Sequence, residues 1–302
     1  MRDLFLLRDG VVFLNHGVFG ACPRSVFEEY QRWQLELERQ PVEFLAREFH
    51  GRMRGAREAL SRFVGAEADD LVFVTNATTG VNIVARSLPL GPGDEVLLTD
   101  HEYGAIDRTW RFVCAYRGAT LVADYYAANC NKWLCAPKGS GFLYARREMQ
   151  DRLRPLLVSW GDESSDGLTP SAFINEFESQ GTRDPAAFLA VPAAIAFQRA
   201  HDWDAVQESC HALAQRARAA VTALTGLPPL SPDDRSWYVQ MVSLPLPVED
   251  AAAAKRRLLE EFRIDVVVTR WQGHTLLRVS VQAYNTRDDL DRLGAAVEAL
   301  LA

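Results

Sequence analysis

The chain has 302 residues, 48% apolar and 24% charged, with a formal charge of −7. That is enough apolar surface for one large or two ordinary domains, and it excludes a disordered, collagenous or disulfide-built chain. The acidic balance, with no basic stretch interleaved with aromatics, argues against a sequence-independent grip on nucleic acid or anionic lipid.

Residues 1–17 hold an apolar run broken by Arg8 and Asp9, without the small-residue site of a signal peptide. Residues 25–63 carry helical periodicity in two runs separated by Pro41. LVFVTN (71–76) reads as a buried strand and runs directly into a helical ATTGVNIVARSL. After a Gly91-Pro92-Gly93 turn come a second strand (95–100) and a second helix (105–118). This alternation predicts a parallel sheet with helices on its faces. The pattern then breaks: ATLV (119–122) reads as a strand, yet it passes without a turn into the strand-like ADYYAAN. Parallel neighbours need a crossover of a dozen or more residues, and none is present.

Beyond GSGFLYA (139–145) the spacing predicts a charged helix (146–154), a polar loop (160–171) and a helix with Asp184 as N-cap and Pro185 in its first turn. Another helix is predicted over 203–225. The last third reads strand (237–247), helix (249–263), strands (265–270 and 275–281) and helix (286–302), a small α+β layer. No apolar run approaches a membrane span. The cysteines Cys22, Cys114, Cys130, Cys135 and Cys210 form no CxxC pair, which points to a reducing cytoplasm and to core packing.

Chemistry concentrates in few places. Of the 33 basic residues only Lys132, Lys138 and Lys255 are lysine. Lys132 is flanked by Cys130, Trp133 and Leu134, an apolar setting that favours the neutral, nucleophilic amine. Lys138 reads as a turn residue and Lys255 as a solvated helix residue. NATTGVN (76–82) joins a strand to a helix, so backbone N–H groups and the hydroxyls of Thr78 and Thr79 meet the positive helix end, a setting suited to phosphate. Alternatively, Thr78 or Thr79 simply caps that helix. His101 and Tyr103 follow the second strand, at the carboxyl edge where open α/β sheets bind ligands, and either could stack on a flat ring. Arg278 interrupts an apolar strand and could clamp a carboxylate. No metal-ligand spacing is present.

Taken together, LNHGVFGACPRSV (14–26), PVEFL (41–45), LVFVTNATTGVN (71–82), GDEVLLTDHEYGA (93–105), ADYYAANCNKWLCAPKGSGFL (123–143), FESQGTRDPAAFLAVPAAI (177–195) and LLRVSVQAYNTRDDLDRL (276–293) resemble the isopenicillin N epimerase-like branch of the class V aminotransferases, in family order. The resemblance implies an α/β chain of the pyridoxal-phosphate fold type I: an N-terminal segment (1–24), a large domain (25–185) with a mainly parallel sheet, and a small C-terminal α+β domain (186–302). It also implies pyridoxal 5'-phosphate as cofactor, an amino acid as substrate, and a cytoplasmic homodimer.

Residue by residue, Lys132 takes the place of the lysine that anchors the cofactor. Thr78 and Thr79 match the phosphate-binding turn, and Thr182 matches the threonine that reaches the phosphate of the neighbouring subunit. His101 or Tyr103 matches the ring-stacking residue. Arg278 matches the arginine that holds the substrate α-carboxylate, and Asn15 and His16 fall in the segment that closes over the site. The cysteine desulfurases that use a catalytic persulfide carry its cysteine in a loop of the C-terminal third; here only Cys210 lies beyond residue 135, within a predicted helix, which disfavours that subclass.

Two departures stand out. Asn131 occupies a position where the family has histidine; it can donate a hydrogen bond to phosphate but cannot be protonated. Between Val122 and Ala123 the family carries two further central strands, the second ending in the aspartate that pairs with the pyridinium nitrogen. Their absence coincides with the missing crossover and implies an internal deletion. The readings are therefore an amino-acid-transforming enzyme and an inactive remnant that at most binds cofactor or a partner.

Overall fold

The computed structural model describes residues 1–88, 109, 125–159, 169 and 171–302. The expected elements over 95–100, 105–118 and 119–122, the Val122–Ala123 junction, and Cys114, His101 and Tyr103 lie outside these. The chain divides into two units, one of Val26–Ile195 and one of Met1–Ser25 with Ala196–Ala302.

In the larger unit, α2 (Arg24–Arg39) gives way at Pro41 to a π-helical turn (Glu43–Glu48) and α3 (Phe49–Val64). Strand β2 (Leu71–Val74) is buried at all four positions, as its β-branched and aromatic composition dictates. It is followed by α4 (Ala77–Ser87), β3 (Tyr125–Asn129) and β4 (Gly141–Ala145). The sheet order is β2-β4-β3. Both outer strands run antiparallel to β4, so β2 and β3 point the same way with a reversed strand between them. The parallel neighbours expected from the alternation involve strands outside the described residues. Val72 and Val74 pack with Ile83 and Val84 of α4 and with Phe173 and Phe177 of α5 (Ala172–Glu178). Phe73 stacks on Phe188 of α6 (Ala186–Leu189), with centroids 5.2 Å apart. The segment expected as a charged helix over 146–154 is a 3-10 helix at Arg147–Arg152. Asp184 caps from one residue further out than expected: Pro185 is the N-cap, and the Asp184 carboxylate accepts the Ala186 N–H at 2.8 Å.

The other unit holds the end of α7 (Val191–Ala200), then α8 (Trp203–Thr225), β5 (Met241–Pro245), α9 (Ala251–Glu260), β6 (Ile264–Asp265), β7 (Val267–Trp271), β8 (His274–Ser280) and α10 (Arg287–Leu301). Its sheet is antiparallel, in the order β5-β8-β7. Leu277 and Val279 of β8 join Cys210 and Ala214 of α8 and Leu290 and Val297 of α10 in one core. Thr286 and Asp289 form a reciprocal capping box at the start of α10. Residues 1–25, with the one-turn α1 (His16–Phe19), belong to this unit because β1 (Val12–Phe13) pairs parallel with β6 and Asn15 bridges Ser280. No described helix is long and apolar enough to cross a membrane.

Candidate functional site

Register locates the site. Gly141, the first residue of β4, lies opposite Val74 at the end of β2 and opposite Asn129 at the end of β3. The carboxyl ends of β2 and β3 therefore stop at one level. The strand-to-helix turn 75–79 and the loop holding Lys132 both leave from that edge of the sheet, where α/β sheets bind ligands.

Two glycines make this convergence tight. A Cβ on Gly141 would lie 2.8 Å from the Ala128 carbonyl oxygen and 2.9 Å from the Cα of Asn76, and one on Gly80 would lie 2.7 Å from the Cβ of Ala127. With no side chain at either position, α4 sits directly on β3, and the turn before it presses against the start of β4.

Inside the turn, Asn76 is the N-cap: its Oδ1 accepts the Thr79 N–H at 2.8 Å and the Thr79 hydroxyl at 3.2 Å. The alternative in which Thr78 or Thr79 caps the helix is thereby corrected. The Asn side chain, standing where the backbone is still extended, reaches the N3 amide. The Thr79 hydroxyl also lies 2.9 Å from Thr75 Oγ1, whereas no hydrogen bond of the Thr78 hydroxyl is found among the described residues. Asn129 Oδ1 accepts the Ala77 N–H at 3.0 Å and ties the end of β3 to the first turn of α4.

Past Asn129 the chain turns back on itself. Cys130 N–H donates to the Ser140 carbonyl, Ala136 N–H to the Cys130 carbonyl and Cys135 N–H to the Lys132 carbonyl, at 2.9 to 3.1 Å. Cys135 is fully buried with φ of +63°, a left-handed conformation unusual for a non-glycine residue. Lys132, half-buried, lines a cavity of about 870 Å³ with Ala77, Cys130, Trp133, Leu134 and Phe142. This volume suits a small organic ligand, and the wall is the apolar setting expected around the amine. Burial pushes the Cys130 thiol up to about 12, so at neutral pH it is a packing group. Asn131 is half-buried beside Lys132, and Lys138 and Lys255 are exposed, as expected of a turn and a solvated helix face.

Thr182 is exposed, next to Gly181 at φ of +88°. Arg278, in the other unit, is half-buried in the central strand β8, opposite Ser243 and Val267. Two residues on, Ser280 is bridged to Asn15, so β8 brings Arg278 and Asn15 into one region of that unit. Asn15 donates to Asp265 Oδ1 at 3.0 Å. His16 is fully buried, with Nδ1 2.9 Å from the Tyr284 hydroxyl and Nε2 3.3 Å from Gln282 Nε2; it holds the N-terminal segment in place. Cys210 lies buried inside α8.

Asn76, Asn129 and Gly141 escaped the reading of the sequence. An Asn between an apolar strand and a helical run is a cap signal that would have pointed to Asn76. Nothing in the sequence pairs Asn129 with Ala77 across the intervening residues.

The residues present fit a phosphate-bearing, amine-anchored ligand. With the Ala77 and Thr79 amides engaged by Asn129 and Asn76, the Thr78 N–H and hydroxyl are the donors at the helix start, Lys132 supplies an amine, and the glycine contacts hold the two together. Comparison with known proteins gives the family. The family model described as aminotransferase class-V matches residues 22–123 and 120–293, two blocks that overlap at residues 120–123, around the Val122–Ala123 junction. Isopenicillin N epimerase from Streptomyces clavuligerus is 30% identical over 386 aligned positions, covering 99% of this chain and 97% of that protein. L-cysteine desulfhydrase from Arabidopsis thaliana is 24% identical, covering 97% and 88%. The apo structure of cysteine desulfurase from Thermococcus onnurineus NA1 superposes with a TM-score of 0.84 at 18% identity, covering 99% and 96%, and shares the fold. The chain belongs to the class V aminotransferase family, in its isopenicillin N epimerase-like branch, and has the fold of the type I pyridoxal-phosphate enzymes.

Proposed function

We propose that this chain is a pyridoxal-phosphate-dependent enzyme acting on the α-carbon of an amino acid. One observation carries the reading: Lys132 and the phosphate-type turn at the start of α4 leave the same sheet edge, held together by Gly80, Gly141 and the Asn129 bond to Ala77. When bound, pyridoxal 5'-phosphate supplies an electron sink for charge developed at the substrate α-carbon.

The chain's own residues do the rest. The Thr78 N–H and hydroxyl bind the phosphate at the start of α4, and the Thr79 hydroxyl, engaged within the turn, keeps Asn76 in its capping position. Asn131 adds a donor. Lys132 anchors the cofactor and, when released, takes and returns the proton at the α-carbon. Arg278 orients the substrate carboxylate bidentately, Asn15 lies in its region, and His16 fastens the segment that carries Asn15. His101 or Tyr103 supplies the stacking face. Thr182 serves the phosphate of a second subunit in a cytoplasmic homodimer. Epimerisation, lyase chemistry and transamination share these first steps.

The second reading, an inactive remnant, is favoured by the junction. The family match splits there, and the relatives align over more positions than this chain has residues, both of which support an internal deletion. No acidic residue matches the partner of the ring nitrogen. The visible spectrum of the chain purified with pyridoxal phosphate, before and after Lys132→Ala, separates the readings. The enzyme reading expects a cofactor band that borohydride fixes to the protein and that the variant lacks, together with exchange of the α-proton of an amino acid in deuterated water. A band without exchange supports the remnant, and no band in the parent chain sinks the enzyme reading.

A further inference from the structure

Glu178, the last residue of α5, is fully buried, and the proposed chemistry does not use it. Its carboxylate pairs with Arg57 of α3, the two side chains being 0% and 2% exposed. The other oxygen accepts the Phe73 N–H at 3.4 Å. Burial pushes the carboxyl up, against the opposing pull of Arg57, the Phe73 amide and Arg183. A buried ion pair is a weak route to stability, since apolar residues of similar volume do as well or better.

Glu178 stands at the root of a loop. Arg183 donates to the Glu178 carbonyl at 3.1 Å, and its guanidinium lies 5.2 Å from the Phe188 ring. Asp184 accepts from Ala186 N–H at 2.8 Å and from Gln34 Nε2 at 2.9 Å. Gly181, at φ of +88°, allows the reversal between these anchors. The loop 179–184 is thus pinned at both ends, and Thr182 stands exposed near its tip.

We propose that Arg57 and Glu178 are positioning residues whose buried pair fixes this loop, so that the Thr182 hydroxyl is presented at a set place to the phosphate held by a second copy of the chain. The proposal rests on the reading above that Thr182 serves a neighbouring subunit. A donor delivered across a subunit boundary binds more tightly when its loop is ordered before association, because the ordering cost then does not fall on binding.

The test uses the full chain, with Glu178→Gln, the combined Arg57→Met/Glu178→Leu, and Thr182→Val. The combined variant leaves no unpaired buried charge, although the Phe73 N–H loses its acceptor, so its thermal midpoint should stay close to that of the parent. In both pair variants amide hydrogen exchange at residues 179–183 should speed up by about 10-fold or more, while β5, β7 and β8 stay protected. Affinity for pyridoxal phosphate should fall about as far as in Thr182→Val, without further loss when the changes are combined, because they act through one contact. Affinity for pyridoxal, which lacks the phosphate, should not change. Slow exchange retained in the stable combined variant, or losses that add to that of Thr182→Val, would overturn the proposal. If the parent chain binds no pyridoxal phosphate, the functional reading fails, and the exchange result alone decides whether the pair fixes the loop.

Discussion

The two sheets place their residues by different means. In the larger unit, β2 is buried at every position, and close contacts leave no room for a Cβ at Gly80, which meets the Ala127 Cβ, or at Gly141, which meets the backbone of Ala128 and Asn76. In the C-terminal unit, β5 alternates, with exposed Met241 and half-buried Ser243 between buried Val242 and Leu244. Order there comes from side-chain packing and from caps such as Thr286. The lesson is about precision. Backbone contact at Gly141 sets the distance between the end of β3 and the turn before α4 with little slack, whereas a side-chain core can repack around a change.

Substitutions sharpen that contrast. The largest loss is expected from Leu277→Ala, a fully buried residue of the C-terminal core: about 3 kcal/mol, from lost burial plus the cavity left behind. Denaturant unfolding should show this loss in the C-terminal unit while the Lys132 region keeps its spectrum. Gly141→Ala should cost about 2 kcal/mol, because its Cβ meets a backbone oxygen and a Cα that cannot swing away. Unlike Leu277→Ala, it should also weaken cofactor binding; equal cofactor affinity in the two variants would break the comparison.

A matched pair of helix substitutions probes the same point at smaller amplitude. Gly294 of α10 has open space where a Cβ would stand, whereas Gly80 of α4 faces Ala127. Gly294→Ala should raise stability by about 0.8 kcal/mol through helix propensity alone, and Gly80→Ala should lower it despite the same propensity gain. Thermal melts of the two variants read opposite signs if the close approach of α4 to Ala127 governs its packing.

The smallest expected effect is a pH dependence in the larger unit. Burial, with the Arg57 charge second, holds His50 below the usual histidine range. Protonation therefore favours the unfolded chain, whose histidine titrates near ~6.5. The stabilising contribution is complete above that value and is lost as pH falls through the lower folded value. The melting midpoint should drop on acidification below about pH 6.5, and His50→Gln should flatten that part of the profile. A slope unchanged in the variant would assign it to other groups.

Much of the site was legible because its chemistry is local. Lys132 stood out by the scarcity of lysine and by its apolar neighbours, and the structure places it on an apolar cavity. The turn before α4 was recognisable from a strand running into a helix. The division of labour between Thr78 and Thr79 was not, because it depends on which hydroxyl Asn76 takes up. Arg278 was one arginine among many until strand pairing put it in the centre of a sheet and within two residues of the Asn15 bridge.

Composition, periodicity and motif order by themselves determined the family and most of the described elements and singled out Lys132, because each rests on neighbours a few residues apart. Only the tertiary structure decided that Gly141 brings the ends of β2 and β3 to one level, that Asn129 spends its oxygen on Ala77, and that Glu178 finds Arg57 across 121 residues. Those contacts join distant segments through backbone register and burial, and neither leaves a local signature in the chain.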